Sequence, residues 1–210
     1  MLFYVAVTAG LTFSVLLFRQ LMGLGRHRVS LVCTAALAVV PGWFAWQTRA
    51  LELKLAEAVQ EISGVPSAEV DCQGFLREFR LDNNLGEVRF GRDGTISTTA
   101  GLRDSVCDHI KAWLDSDKEH PSRDQVIAVH VLTHEAIHVS GVIDERATEC
   151  QAMQADARTA RVLGATPEQA QALAERYYRD VYPHMPNGYR STGCHENGEY
   201  DLSPGDGVWP

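Results

Sequence analysis

The chain has 210 residues, with 27 acidic against 19 basic side chains and a formal net charge of −8. The acids dominate after residue 140, which excludes nucleic-acid binding and a basic membrane-surface patch as functions. Beyond an apolar beginning, ~160 residues remain, enough for one domain around one core.

Leu2–Phe18 and Val29–Trp46 are apolar runs without a charged side chain. Each corresponds to ~26 Å of helix against a hydrocarbon core of ~30 Å, and both read as transmembrane helices. Pro41 and Gly42 are tolerated in a membrane helix, and Trp43 and Trp46 stand where an interfacial belt is expected. Arg19, Arg26, His27 and Arg28 concentrate in the connecting loop. The positive-inside rule assigns that loop to the cytoplasm and the rest of the chain to the outside. A signal anchor made of 29–46 alone gives the same topology. Residues 1–48 are thus expected to hold the chain in a lipid bilayer.

Arg49–Ile62 is amphipathic and reads as a helical stalk over 49–65, broken at Gly64-Val65-Pro66. Gly86–Phe90 and Thr95–Thr99 read as two strands around an Asp93-Gly94 turn. Thr95–Thr99 is the expected edge beside a cleft. Leu102–Leu114 follows as a helix with Val106, Ile110, Trp113 and Leu114 on its apolar side. Ser122-Arg123-Asp124-Gln125 after Pro121 is a capping-box start. The strongly apolar helix that follows contains His134-Glu135-Ala136-Ile137-His138 and stops at Gly141.

Residues four apart share one helix face, so both imidazoles of this motif can reach one Zn²⁺. Glu135, between them, is the candidate base that takes a proton from water at the metal. Three acids compete as third ligand: Asp144, Glu145 and Glu149. Asp144 is a good N-cap for a second helix that runs through almost unbroken helix formers to Gly164. Glu145 and Glu149 lie one turn apart on that helix. Thr166-Pro167-Glu168 opens a last helix reaching about Tyr182. His130, one turn before His134, reads as a core histidine or a cleft-lining one.

Cys72, Cys107, Cys150 and Cys194 form an even set, whereas Cys33 lies in the second apolar run and reads as a small apolar residue. Of the three possible pairings, Cys72–Cys107 with Cys150–Cys194 is favoured. Each would close a loop of ~35–45 residues and contribute roughly 3–4 kcal/mol. No cysteine pair has zinc-ligand CxxC spacing, and no thiol-redox motif is evident.

Two zinc-peptidase classes share parts of this pattern. His134-x-x-x-His138-x-x-Gly141-x-x-Asp144 resembles the metzincin consensus with aspartate as third ligand, for which Met185 would be the Met-turn residue. Glu149-Cys150-Gln151-Ala152 resembles the Glu-x-x-Ala element of the thermolysin-like (gluzincin) class, in which a glutamate arrives from a second, antiparallel helix. Met153 replaces the acidic or amide residue usual at the next position. The long helix directly after Gly141 favours the gluzincin reading, and the expected order of third ligands is Glu149, then Glu145, then Asp144.

The stretch HEAIHVSGVIDERATECQAMQ, with the tail pattern around Tyr189, Cys194, Asp201 and Trp209, resembles the zinc-peptidase-like domain of membrane-anchored actinobacterial proteins. That resemblance implies a metal site and a surface location. The expected architecture is mainly α with a small β-hairpin (α+β). N-terminal transmembrane helices precede a minimal zinc-peptidase-like domain over residues 66–210. The expected activity is Zn²⁺-dependent hydrolysis of peptide bonds outside the cytoplasm, with His134, His138 and Glu149 holding the metal. Tyr177, Tyr178, His184, Tyr189 and His195 are the candidates for stabilising the oxyanion. The alternative is an anchored, non-catalytic domain with a structural zinc, which would have no need of Glu135.

Overall fold

The computed structural model describes residues 12–19, 28–73 and 85–210, with only the backbone described at 28–42, 44 and 45. The chain divides between Ala50 and Leu51 into two units. In the first, residues 12–19 are helical, and Trp43 and Trp46 are both exposed with ring centroids 5.3 Å apart. Among the described residues no helix is long and apolar enough to cross a membrane. Of the expected spans 2–18 and 29–46, residues 2–11 lie outside the described residues, 12–18 are helical, and the backbone of 29–46 is helical throughout.

The elements are α1 (Arg28–Ser63), β1 (Glu69–Gln73), β2 (Gly86–Glu87), β3 (Thr99–Arg103), α2 (Asp104–Leu114), α3 (Arg123–Val139), α4 (Glu145–Val162) and α5 (Pro167–Asp180). A single 3₁₀ turn, Tyr182–His184, follows. Among the described residues the chain is mainly helical with one small sheet, which is the expected α+β character.

In the second unit, the apolar stripe Leu55, Ala58, Val59 of α1 has no solvent exposure and joins the main core. The segment expected as a helical stalk is helical to Ser63 and, from Leu51 on, belongs to this second unit. Its apolar face, spaced as one helical stripe, is buried against other elements rather than left in water.

The three strands are ordered β1-β3-β2. β1 runs parallel to β3, with Val70 beside Ala100 and Cys72 beside Leu102, and β2 runs antiparallel to β3, with Gly86 beside Leu102. The hairpin turn stands where Asp93-Gly94 predicts it: Gly94 has φ +81° and the Thr95 amide donates to Asp93 Oδ1. Two expectations change. Thr95–Thr99 leads into the central strand β3, and the edge strands are β1 and β2. The helix expected from Leu102 starts at Asp104 because Leu102 and Arg103 are held in the β1–β3 ladder.

Both halves of the Ser122/Gln125 capping box are formed at the start of α3, and Gly141 follows its end at φ +113°. Asp144 caps α4 by accepting from the Ala147 amide. Thr166 and Gln169 form a second capping box at α5. The disulfides are Cys72–Cys107, joining β1 to α2, and Cys150–Cys194, joining α4 to the C-terminal segment. Both are the favoured pairings.

Candidate metal centre

His130, His134 and His138 recur every four residues and so form one stripe along α3. Glu145, Glu149 and Asp156 form the facing stripe on α4. The contacts advance in opposite senses along the two helices. Glu145 meets His138 and His134, Glu149 meets His134 and His130, and Asp156 meets His130. The helices are therefore antiparallel, and three imidazoles oppose three carboxyls in a largely buried layer.

At the first turn of α4 three ligand atoms converge. His134 Nε2 lies 3.1 Å from His138 Nε2 and 3.1 Å from Glu145 Oε2, and His138 Nε2 lies 3.4 Å from the same oxygen. The outer nitrogens of both rings have acceptors. His138 Nδ1 donates to the Val142 carbonyl at 2.7 Å, and His134 Nδ1 to Glu149 Oε2 at 3.1 Å. With Nδ1 carrying the hydrogen, both Nε2 lone pairs point inward at each other and at a carboxylate oxygen. Such a cluster is stable only around a positive charge, a proton or a metal ion. In the metal-free state burial pulls the His134 imidazole down, but its hydrogen bonds to the Glu145 and Glu149 carboxylates outweigh this and raise it to about 9. Hydrogen bonds from His134 and His138 hold the Glu145 carboxyl down at about 2.

A second group of possible ligands, His130, His134 and Glu149, lies behind the first. Its atoms already satisfy one another. Glu149 Oε2 accepts from His130 Nε2 at 3.2 Å as well as from His134, and Glu149 Oε1 accepts from the Tyr177 hydroxyl at 2.7 Å. His130 Nδ1 donates to Asp156 Oδ2 at 2.8 Å, and its ring stacks on Tyr177 at 3.5 Å between centroids. Burial lowers the His130 imidazole, yet Asp156 and Glu149 push it up to about 10, so it is an imidazolium with both N–H groups used. Burial likewise pushes the Glu149 carboxyl up, but His130 and His134 more than reverse this and leave it ionised. The inner group is thus largely satisfied by its own hydrogen bonds, with only Asp156 Oδ1 left unpartnered in that network among the described residues, whereas the outer one has converging lone pairs. Together His130, His134, His138, Glu145 and Glu149 could hold a metal ion.

Glu135 stands beside this cluster at 5% exposure, and its Oε2 has no hydrogen-bond partner among the described residues. Burial pushes its carboxyl up to about 7 against the pull of His134 and His138. An unpartnered buried oxygen costs about 1–3 kcal/mol unless a further group fills the space. The strand above explains the enclosure. The Gly86 backbone rests directly on this side chain, and a Cβ there would stand 2.7 Å from Glu135 Cγ.

The cluster opens into a cavity of about 460 Å³. Its floor is one face of α3, including Ile127, Val131, His134, Glu135 and His138, and its walls are Leu85–Phe90 and the segment from Val181 to Tyr189. Phe90 meets the His138 ring edge-on at 5.6 Å.

Among the expected oxyanion candidates, His184 and Tyr189 face this cavity, and the Tyr189 ring lies 5.9 Å from that of His134. Tyr177 is committed to Glu149 and His130. Tyr178 packs on Tyr182 and Trp209, and His195 is exposed with Nδ1 at the Glu196 carbonyl. Met185 is a cavity wall residue. Asp144 serves the helix cap.

Sequence reasoning did not anticipate Gly86 or Asp156, nor the ionised role of His130. The four-residue recurrence of His130, His134 and His138 was the available signal for His130. Compared with protein-family models, curated proteins and solved structures, the chain matches none.

Proposed function

We propose that the chain is a membrane-anchored zinc hydrolase that cleaves peptide bonds outside the cytoplasm. The carrying observation is the convergence of His134 Nε2, His138 Nε2 and Glu145 Oε2 at 3.1–3.4 Å, next to the unpartnered Glu135 carboxyl. Zinc bonds of ~2.0–2.1 Å in a tetrahedron require ligand atoms about 3.3–3.4 Å apart, which this triangle approaches. Three protein ligands leave one position open, as catalytic zinc sites do, whereas structural sites are closed by four.

In this reading Glu145 is the third ligand, and Glu149 is the outer carboxylate that orients His134. This reverses the order expected from the sequence. A bound zinc ion supplies Lewis acidity, polarising a carbonyl and lowering the pKa of water. Glu135, shielded by Gly86 and with a carboxyl near neutrality, accepts the proton from water and returns it to the leaving amine. Tyr189, which lines the cavity and is kept protonated because burial and Glu145 push its hydroxyl up, would donate to the oxyanion.

The two disulfides support an oxidising compartment, and the arginine-rich loop before residue 29 supports an outward-facing body. The test is Glu135→Gln in the full chain. It should retain zinc and thermal stability, while cleavage of a mixed peptide library, read by mass spectrometry, falls at least about a hundredfold. Equal cleavage by the two proteins would overturn the reading.

A further inference from the structure

We propose that Arg123 recognises the C-terminal carboxylate of a peptide whose apolar residues lie along α3, which makes the substrates short C-terminal segments. The inference rests on the hydrolase reading above and adds the class of substrate to it. Apart from Arg123, the histidines of the cluster and His184, the charge-bearing side chains that line the cavity are acidic: Glu87, Glu135, Glu145 and Glu149. Arg123 lines the same cavity from the first turn of α3 and has no ion pair or hydrogen bond among the described residues.

Helix stability does not account for an arginine there. A cation at a helix N-terminus opposes the macrodipole, and the cap is already supplied by Ser122 and Gln125. The floor between Arg123 and the cluster is apolar, formed by Ile127 and Val131. Eleven residues separate Arg123 from His134, or ~16 Å of helix rise. An extended peptide covers that length in four to five residues at ~3.3 Å each.

Chain direction allows a carboxylate at that end. Gly86 rests on Glu135 and Phe90 meets His138, so this wall runs in the same sense as α3. A peptide laid antiparallel to the wall passes the cluster first and carries its C-terminus toward Arg123. The guanidinium fork is suited to a terminal carboxylate, which it can bind through two parallel N–H donors.

The test uses the full-length, zinc-loaded Glu135→Gln protein and the fluorescein-labelled peptide Ala-Ala-Phe-Leu-Ala-Leu, as free acid and as C-terminal amide. Fluorescence anisotropy should show the acid binding roughly tenfold or more tightly, the scale of one charge-assisted hydrogen bond. Adding Arg123→Gln should abolish the difference, and Arg123→Lys should restore part of it. Equal binding of acid and amide, no binding of either, or a preference that survives Arg123→Gln would overturn the inference. Any of these with zinc retained leaves the hydrolase reading intact. That reading fails separately, if the protein does not bind zinc or if its cleavage of a mixed library is indifferent to Glu135→Gln.

Discussion

Gly86 lies against Glu135 so closely that a methyl group on residue 86 would overlap the Glu135 side chain, 2.7 Å from Cγ and 2.8 Å from Cδ. The edge strand β2 thereby encloses one carboxyl of α3 without offering its Oε2 a hydrogen bond. Enclosure raises the carboxyl toward neutrality, and the missing Cβ leaves room for the carboxyl beside the metal ligands.

Gly86→Ala should displace the Glu135 side chain or lift β2 away from α3. The expected loss of stability is about 1–3 kcal/mol, typical of overpacking. Zinc content should be unchanged, and peptide cleavage should fall with it intact. Retention of full cleavage by a stably folded Gly86→Ala protein would mean that the close approach has no role in positioning Glu135.

The acids of α4 should separate in a zinc-retention assay against a chelator. Glu145→Ala removes a ligand and should empty the site. Glu149→Ala should weaken zinc about 10–100-fold by freeing the His134 ring, and should also destabilise the fold because the His130 imidazolium loses a buried partner. Asp144→Ala should keep the metal and lose only a cap, ~1 kcal/mol. A site emptied by Asp144→Ala alone would instead favour the metzincin-like pattern.

Zinc binding should release protons. Without metal, burial acts to deprotonate His134, but Glu145 and Glu149 keep it protonated up to about 9. Zinc requires the Nε2 lone pair, so near pH 7 about one proton must leave per ion bound. Affinity should therefore rise with pH toward 9 and fall as pH drops. Calorimetry in two buffers of different ionisation heat measures this directly, and identical heats would exclude a protonated His134.

Topology can be read with a membrane-impermeant thiol reagent on intact cells. In a chain carrying Cys33→Ser, a cysteine introduced by Ser203→Cys should be labelled, and one introduced by Gly23→Cys should not. The opposite pattern would put the metal cluster in the cytoplasm and contradict the proposed location.

Local chemistry was legible without a fold. The Ser122/Gln125 box, the Asp144 cap and the stop at Gly141 each depend on residues within one or two turns, and each forms as expected. The hairpin turn at Asp93-Gly94 is equally local. The even cysteine count left three pairings open, and the favoured one is the one that forms.

What the sequence by itself determined is therefore the pair of imidazoles on one face of α3, the carboxyl between them, and the acid-bearing helix that follows. Periodicity could not rank Glu145 against Glu149, because residues four apart share a face and differ only in height along the helix. That height is decided by how the Ser140–Ile143 connection lets α4 pack back on α3, which brings Glu145 level with the two Nε2 atoms and Glu149 level with His134 Nδ1. Likewise Gly86 meets Glu135 across the sheet, and β1 exists only because it pairs with β3 far along the chain. Contacts between distant segments carry no local signature, so only tertiary packing could assign them.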